Sequence, residues 1–286
     1  MKVLISADME GTCGVVSWVQ VMPPEVVGST EPSSQTEYER ARARMTREVN
    51  AAIEGAYLAG ATEVIVNDSH DGMRNLLPDE LDPRVRFISG SDKALGMVQG
   101  VDLKGIGCVF YTGYHAKAGT PNAPLAHTWT GWINDVRIGG VSTGEFGINA
   151  AVAGHFGVPV TLVTGDIRAV KQTQEFLGSQ VVGVVVKEGL STFSALHLHP
   201  EKAQDLIRKG AEEAVRGAKS AKPLKVRVGT TIEVEFDHQA RADQCVYIPG
   251  VKRVGERAVA YKFENGVQFA HTFRAITKCA SVRMSP

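Results

Sequence analysis

The chain has 286 residues, 43% of them hydrophobic, with a formal net charge of zero and a pI near 7.1. That length allows one large core, or a core with a smaller companion, and the neutral balance argues against a nucleic-acid or other polyanionic partner. Its four cysteines form no Cys-x-x-Cys pair, and no apolar run approaches the ~20 residues of a membrane helix, so a zinc knuckle and a transmembrane protein are not indicated.

The first apolar run, Val3-Leu4-Ile5-Ser6, predicts a buried parallel strand. It is too short for a signal-peptide core, and acidic residues follow at once, so a reduced, soluble, cytoplasmic protein is expected. Polar sequence from Gly11 to about Gln35 leads into a long helix over 36–58, with Thr36 as N-cap and Gly60 as stop. Val64-Ile65-Val66 predicts a second strand, running into Asn67-Asp68-Ser69-His70-Asp71-Gly72. A short strand over 85–88 and a short helix over 93–98 follow. The apolar segment 107–111 predicts a third buried strand, ending in Thr112-Gly113-Tyr114-His115. After a loop of small residues come a hairpin strand at 132–139, a helix at 145–155, a strand at 160–163, a helix at 169–177 and a strand at 181–186. Alternating helices and near-continuous Val/Ile strands predict an α/β fold with a mostly parallel sheet flanked by helices.

Past Leu190 the texture changes. A charged helix is expected at 200–216, and an alternating, half-exposed strand at 225–236. Glu264-Asn265-Gly266 carries an Asn-Gly hairpin signal between 259–263 and 267–269, although a helix after Val267 also fits. A catalytic, metal-binding α/β domain is therefore expected over 1–190. A smaller α+β region over 191–286 would pack on it and contribute to an oligomer or a substrate channel.

Open α/β sheets bind ligands beyond the carboxyl ends of their strands. Four predicted strands end there in acids or imidazoles: Asp8 and Glu10, Asp68 and His70, His115, and Asp166. Asp8 and Glu10 share a face of extended chain, and two carboxylates that close need a proton or cation between them. Alone, such a pair reads more readily as a cap and a solvated acid. Histidines at two neighbouring strand ends turn it into a metal site. Carboxylates with imidazoles and no thiolate pair suit zinc, manganese or non-haem iron. Glu145, at a predicted helix start, is either a further ligand or a helix-dipole acid. With it, the set suits two bridged metals. His127, in a loop between Pro124 and Trp129, is either a proton donor or transition-state stabiliser, or a surface residue. Cys13 lacks a base and reads as a packed thiol. His197 and His199 read as structural. No phosphate-cradling glycine motif is present.

Five segments taken together are more specific. Ser6-Ala7-Asp8-Met9-Glu10-Gly11, Asn67-Asp68-Ser69-His70-Asp71-Gly72, Gly113-Tyr114-His115-Ala116, Leu125-Ala126-His127-Thr128 and Thr143-Gly144-Glu145 resemble, in order and at similar spacing, the motifs of the DppA-type zinc D-aminopeptidases. The motifs cover roughly 1–190, and length and pattern extend the likeness over the whole chain. The resemblance implies that Asp8, Glu10, His70, His115 and Glu145 bind two zinc ions per subunit and that His127 is the catalytic residue. It implies hydrolysis of the N-terminal residue from short peptides, D-residue peptides such as D-Ala-D-Ala among them. It also implies a homo-oligomer, a decamer of two stacked pentamers with active sites facing an inner channel.

Two other classes are compatible with the ligand types. A two-metal phosphoesterase would want Arg or Lys for phosphate, with Arg74 and Lys117 the nearby candidates. A non-catalytic peptide-binding protein would hold a structural metal or none.

Overall fold

The computed structural model describes residues 1–28 and 32–282. In chain order the elements are β1 (Lys2–Ala7), α1 (Trp18–Val21), α2 (Pro24–Val27), α3 (Pro32–Leu58), β2 (Glu63–Asp68), β3 (Arg86–Ile88), β4 (Ile106–Tyr114), β5 (Ile133–Ile138), β6 (Val141–Thr143) and α4 (Glu145–His155). They continue with β7 (Val160–Asp166), α5 (Ile167–Leu177), β8 (Val182–Ser191), β9 (Ser194–His197), α6 (Pro200–Gly217), β10 (Thr231–Phe236), α7 (Gln239–Cys245), β11 (Lys252–Arg253), β12 (Ala258–Lys262) and α8 (Gly266–Ala280).

A seven-stranded sheet, ordered β3-β2-β1-β4-β7-β8-β9, forms the body. All its pairs are parallel except the β8–β9 edge. Its central strands are apolar on both faces because both faces are covered. Val3, Ile5, Val64, Val66 and Phe110 point into one core, shared with α3 and α6. Leu4, Ile65, Val109 and Tyr111 point into the other, shared with α4, α8 and a second sheet. That second sheet is antiparallel and five-stranded, ordered β11-β12-β10-β5-β6. The expected fold class, a mostly parallel sheet flanked by helices, is borne out.

The expected boundary at 190/191 does not follow the sheets. β5 and β6, from the first part of the chain, pair with β10, while β9 and α6, from the second, complete the large sheet and its helical cover. Val136 and Ile138 pair across from Val234 and Ile232, so β5 buries its apolar face only by joining β10.

Local signals were also redirected. Asn265 does not turn a hairpin; its side chain accepts the N–H groups of Val267 and Gln268 as the N-cap of α8. The apolar residues that follow include Phe269, Phe273 and Ile276, at helical spacing, and they are buried. Thr36 lies inside α3, which starts at Pro32, a residue suited to a first helical position. At 93–98 only a single turn of 3-10 helix forms, Gly96–Val98.

The ends of β1 and β4 approach closely enough to exclude side chains. Gly11 N–H donates to Gly113 O at 2.7 Å, and a Cβ on Gly11 would lie 2.0 Å from Tyr114 O. Gly113 has φ +67, and a Cβ there would lie 2.2 Å from Asp8 O. Gly113→Ala is expected to destabilise the fold by about 1–3 kcal/mol from the left-handed backbone alone, and further from the contact. A fall in Tm with a parallel loss of metal affinity would register it; an unchanged Tm would show that the two strand ends can move apart.

Candidate metal centre

The carboxyl ends of β1, β2 and β4 deliver Asp8 and Glu10, His70, and His115 to one place. Glu145 arrives from the first turn of α4 and His127 from the loop between β4 and β5. Asp8, Glu10, His70, His115 and Glu145 are all buried, at 3–6% exposure. His127 is more open, its side chain 14% exposed. The six side chains lie at the floor of a cavity of about 870 Å³, whose walls include Trp18, Met22, Met73, Met97, Trp129 and Phe193.

Each histidine commits one ring nitrogen to a main-chain carbonyl. His70 Nε2 faces Val21 O, His115 Nδ1 faces Ala116 O at 3.0 Å, and His127 Nδ1 faces Leu125 O at 2.8 Å. A carbonyl can only accept, so these contacts assign the proton to that nitrogen. The other nitrogen of each ring turns onto the carboxylates. His70 Nδ1 is 2.9 Å from Glu10 Oε2 and 3.2 Å from Asp8 Oδ1. His115 Nε2 is 3.2 Å from Glu145 Oε1 and 3.5 Å from Asp8 Oδ2. His127 Nε2 stands 3.8 Å from Glu10 and 3.9 Å from Glu145, and its ring stacks on His115 at 4.0 Å.

Two sets of three donors emerge, Asp8 with Glu10 and His70, and His115 with His127 and Glu145. Within each set the donor atoms lie within 4.8 Å of one another. Asp8 Oδ2 is buried without a hydrogen bond, and buried Glu10 Oε2 has only the His70 nitrogen beside it. Burial and the neighbouring charge of Glu10 push the Asp8 carboxyl up to about 8. Burial opposes the charge on Glu10 too, but His70 and the other imidazoles hold it well below the usual carboxylate range. His115 is raised to about 10 because Glu145 and Asp8 outweigh its burial. His127 is lowered, by burial first and then by the charge of His115.

Without a cation, the cluster therefore stays neutral only by holding extra protons. Stripped of them, three carboxylates carry three negative charges among neutral imidazoles. Two divalent ions would carry four positive charges, so the orphaned Asp8 oxygen, donor types and charge all fit a pair of such ions.

Backbone strain gathers around the histidines. Asp71 and Met73, just after His70, have positive φ, as do Asn122, Leu125 and Trp129 around His127. Among the described residues only one other non-glycine, Asp92, does so. Such conformations cost of order 1–3 kcal/mol each and persist where surroundings enforce them. Trp129 N–H, for example, donates to Glu145 Oε1 at 2.7 Å, which fixes that carboxylate.

The remaining candidates fall outside the cluster. Asp68 folds the His70 loop back on itself by accepting the N–H groups of Asn75 and Leu76. Asp166 caps α5. Cys13 is a packed thiol, donating to Leu198 O and raised to about 11 by burial. His197 Nδ1 accepts Gly14 N–H, a structural role. Arg74 and Lys117 do not line the cavity.

Sequence reading missed the polar layer beneath the site. Ser6 Oγ meets Ser69 Oγ, Tyr114 Oη and Met97 O, and Asn149 donates to Tyr114 Oη. Ser6 alternates with Ala7 along β1, so period-two spacing sets it on the other face from Ala7, while Ser69 directly follows the end of β2.

A family profile for peptidase M55, D-aminopeptidase, matches residues 1–275. The chain belongs to this family. Over 281 residues it is 33% identical to a D-aminopeptidase of Bacillus subtilis (strain 168), with 98% of each chain covered. It also matches a solved structure, the Zn-dependent D-aminopeptidase DppA from Bacillus subtilis, described as a self-compartmentalizing protease. That match has a TM-score of 0.90 at 31% identity and covers 100% of both chains. The resemblance carried by the five motifs is thus borne out, and with it the expectation of a hydrolase. As a D-aminopeptidase family member, the chain shares both sequence and fold with these relatives end to end. Among its described residues no helix is long and apolar enough to cross a membrane.

Proposed function

We propose that this M55 family member is a zinc aminopeptidase that removes the N-terminal residue from short peptides, D-residue peptides such as D-Ala-D-Ala among them. The observation that carries the reading is the treatment of the histidines: each has one nitrogen fixed on a backbone carbonyl and the other aimed at buried carboxylates. Metal-binding histidines are held in this way. Asp8, Glu10, His70, His115 and Glu145 would hold two zinc ions. Such ions supply Lewis acidity to a carbonyl and lower the pKa of water.

The chain's own residues do the rest. His127 Nε2 is the unprotonated nitrogen, and it faces the cavity. It is placed to take a proton from the attacking water and pass it to the leaving amine. The aromatic and thioether walls exclude water and receive side chains.

Metal analysis beside a paired assay on D-Ala-D-Ala and L-Ala-L-Ala tests the reading. About two zinc ions per chain and a preference for the D-peptide are expected. A metal-free active enzyme, or turnover of a chromogenic phosphate ester instead, would sink it.

Loading should also expel protons. In the metal-free site Asp8 and His115, raised to about 8 and about 10, both hold a proton at pH 7. Ligands must lose these protons to bind, so zinc affinity is expected to rise with pH through 8. Calorimetry in two buffers of different ionisation enthalpy should detect the release; identical heats in both would contradict it.

We further propose a cytoplasmic homo-oligomer, with two stacked pentamers as the assembly. Its support is the structural likeness to a self-compartmentalizing protease. The exposed apolar residues Leu190, Phe193 and Leu196 on the β8–β9 hairpin add to it. Light scattering should return about ten subunits; a monomer would refute the assembly.

A further inference from the structure

We infer that Lys187 is the positioning residue for Glu10, and thereby sets metal affinity at the Asp8–Glu10–His70 half of the site. This rests on the metal reading above.

Lys187 lies on β8, directly after the apolar residues 184–186, and is 1% exposed. A lone ammonium in such a place needs partners for all three N–H groups. It finds three backbone carbonyls of one loop: Glu10 O at 2.5 Å, Val15 O at 2.7 Å and Thr12 O at 3.1 Å. Donor count and acceptor count match. Neither the lysine nor these carbonyls belong to the proposed metal ligands, yet one carbonyl is that of Glu10 itself.

Other elements secure the same loop. Glu48 on α3, buried at 3% exposure, accepts Cys13 N–H at 2.9 Å. Gly14 N–H donates to His197, the β9 residue paired with Lys187, and Arg44 donates to Gly14 O. Gly11 N–H is held by Gly113 O. The Glu10 carboxylate thus hangs from a loop pinned at every residue from 10 to 15. Lys187 ties the two ends of that loop together, from Glu10 O to Val15 O. The His115–Glu145 half is carried by β4 and α4 and makes no contact with this ammonium among the hydrogen bonds described.

The consequence is asymmetric. Removing the ammonium should loosen Glu10 and leave Glu145 and His115 in place. Loss of an outer-shell partner typically weakens metal binding by about 10–100-fold.

The test is a cobalt(II) titration followed by visible absorption, on wild type and on Lys187→Met. Wild type should take up two equivalents. Lys187→Met should keep one tight equivalent and bind the other about tenfold weaker or more, with an altered cobalt spectrum. A general loss of stability would weaken both equivalents alike, and that pattern would overturn the inference. So would wild-type affinity for both. If Lys187→Met fails to fold, Lys187→Met/Glu48→Gln removes the buried cation with a buried anion, and the same selective loss is expected. A wild-type protein that binds no cobalt would refute the metal reading, and the positioning role with it. Two tight equivalents in every variant would refute the positioning role alone.

Discussion

His115→Ala is expected to lose metal and turnover together. His115 Nε2 lies 3.2 Å from Glu145 Oε1 and 3.5 Å from the free oxygen of Asp8, so it faces carboxylates of both donor sets. Its removal deletes a donor where the two sets meet. Without metal the enzyme loses several kcal/mol of transition-state stabilisation. At 1.36 kcal/mol per tenfold, about 4 kcal/mol corresponds to roughly a 10³-fold fall in kcat. Zinc content by elemental analysis should drop in the same variant. A variant that kept two zinc ions and native turnover would remove His115 from the ligand set.

His127→Ala should separate the two losses. His127 Nε2 lies farther from the carboxylates than the carboxylate-facing nitrogens of His70 and His115 do, and its side chain is the most exposed of the three. It stacks on His115 on the cavity side and meets the edge of Trp18 at 5.3 Å. Those features suit a proton carrier facing substrate. General acid–base groups contribute typically about 10²–10⁴-fold, so a kcat loss in that range is expected with zinc content unchanged. Loss of one zinc ion would instead make His127 a ligand, a role its distance to Glu145 also permits. Near-native turnover on D-Ala peptides would exclude both roles.

Strand runs and strand-end chemistry were the most legible parts of the sequence. Val64-Ile65-Val66 leads to His70, and the strand before Thr112 leads to His115, because buried parallel strands leave no choice of face and their carboxyl ends converge. The same logic over-reached at Asp68 and Asp166. Both sit at strand ends, but Asp68 accepts the N–H groups of Asn75 and Leu76, and Asp166 turns its Oδ1 onto the first N–H groups of α5, so neither joins the donor cluster. Glu145 was ambiguous for a similar reason, since it stands at a helix start. Its contacts with His115 and Trp129 come from residues 16–30 positions away and cannot be read locally.

The second sheet was illegible as a unit. β5 and β10 are about a hundred residues apart, and each reads as an ordinary half-exposed strand. Asn265-Gly266 shows a different limit. An Asn side chain serves a turn or a helix N-terminus equally well, and the decision falls to Phe269, Phe273 and Ile276 packing four and three residues apart. Lys187 was overlooked because the predicted strand ended one residue before it, although a lysine continuing a run of buried valines already required partners.

Glu145 follows β6 by two residues and so belongs mechanically to the five-stranded sheet, while Asp8, His70 and His115 hang from the seven-stranded one. An ion held by both would be a rivet through two plates. Occupancy adds about 2.7 kcal/mol at a free ion concentration a hundred times Kd, and that free energy opposes any opening that parts the plates. Chelation should thus leave amide exchange in β1 and β4 slow while β5, β6 and β10 exchange faster. The enzyme's thermal tolerance would then track the supply of metal as closely as its catalysis does.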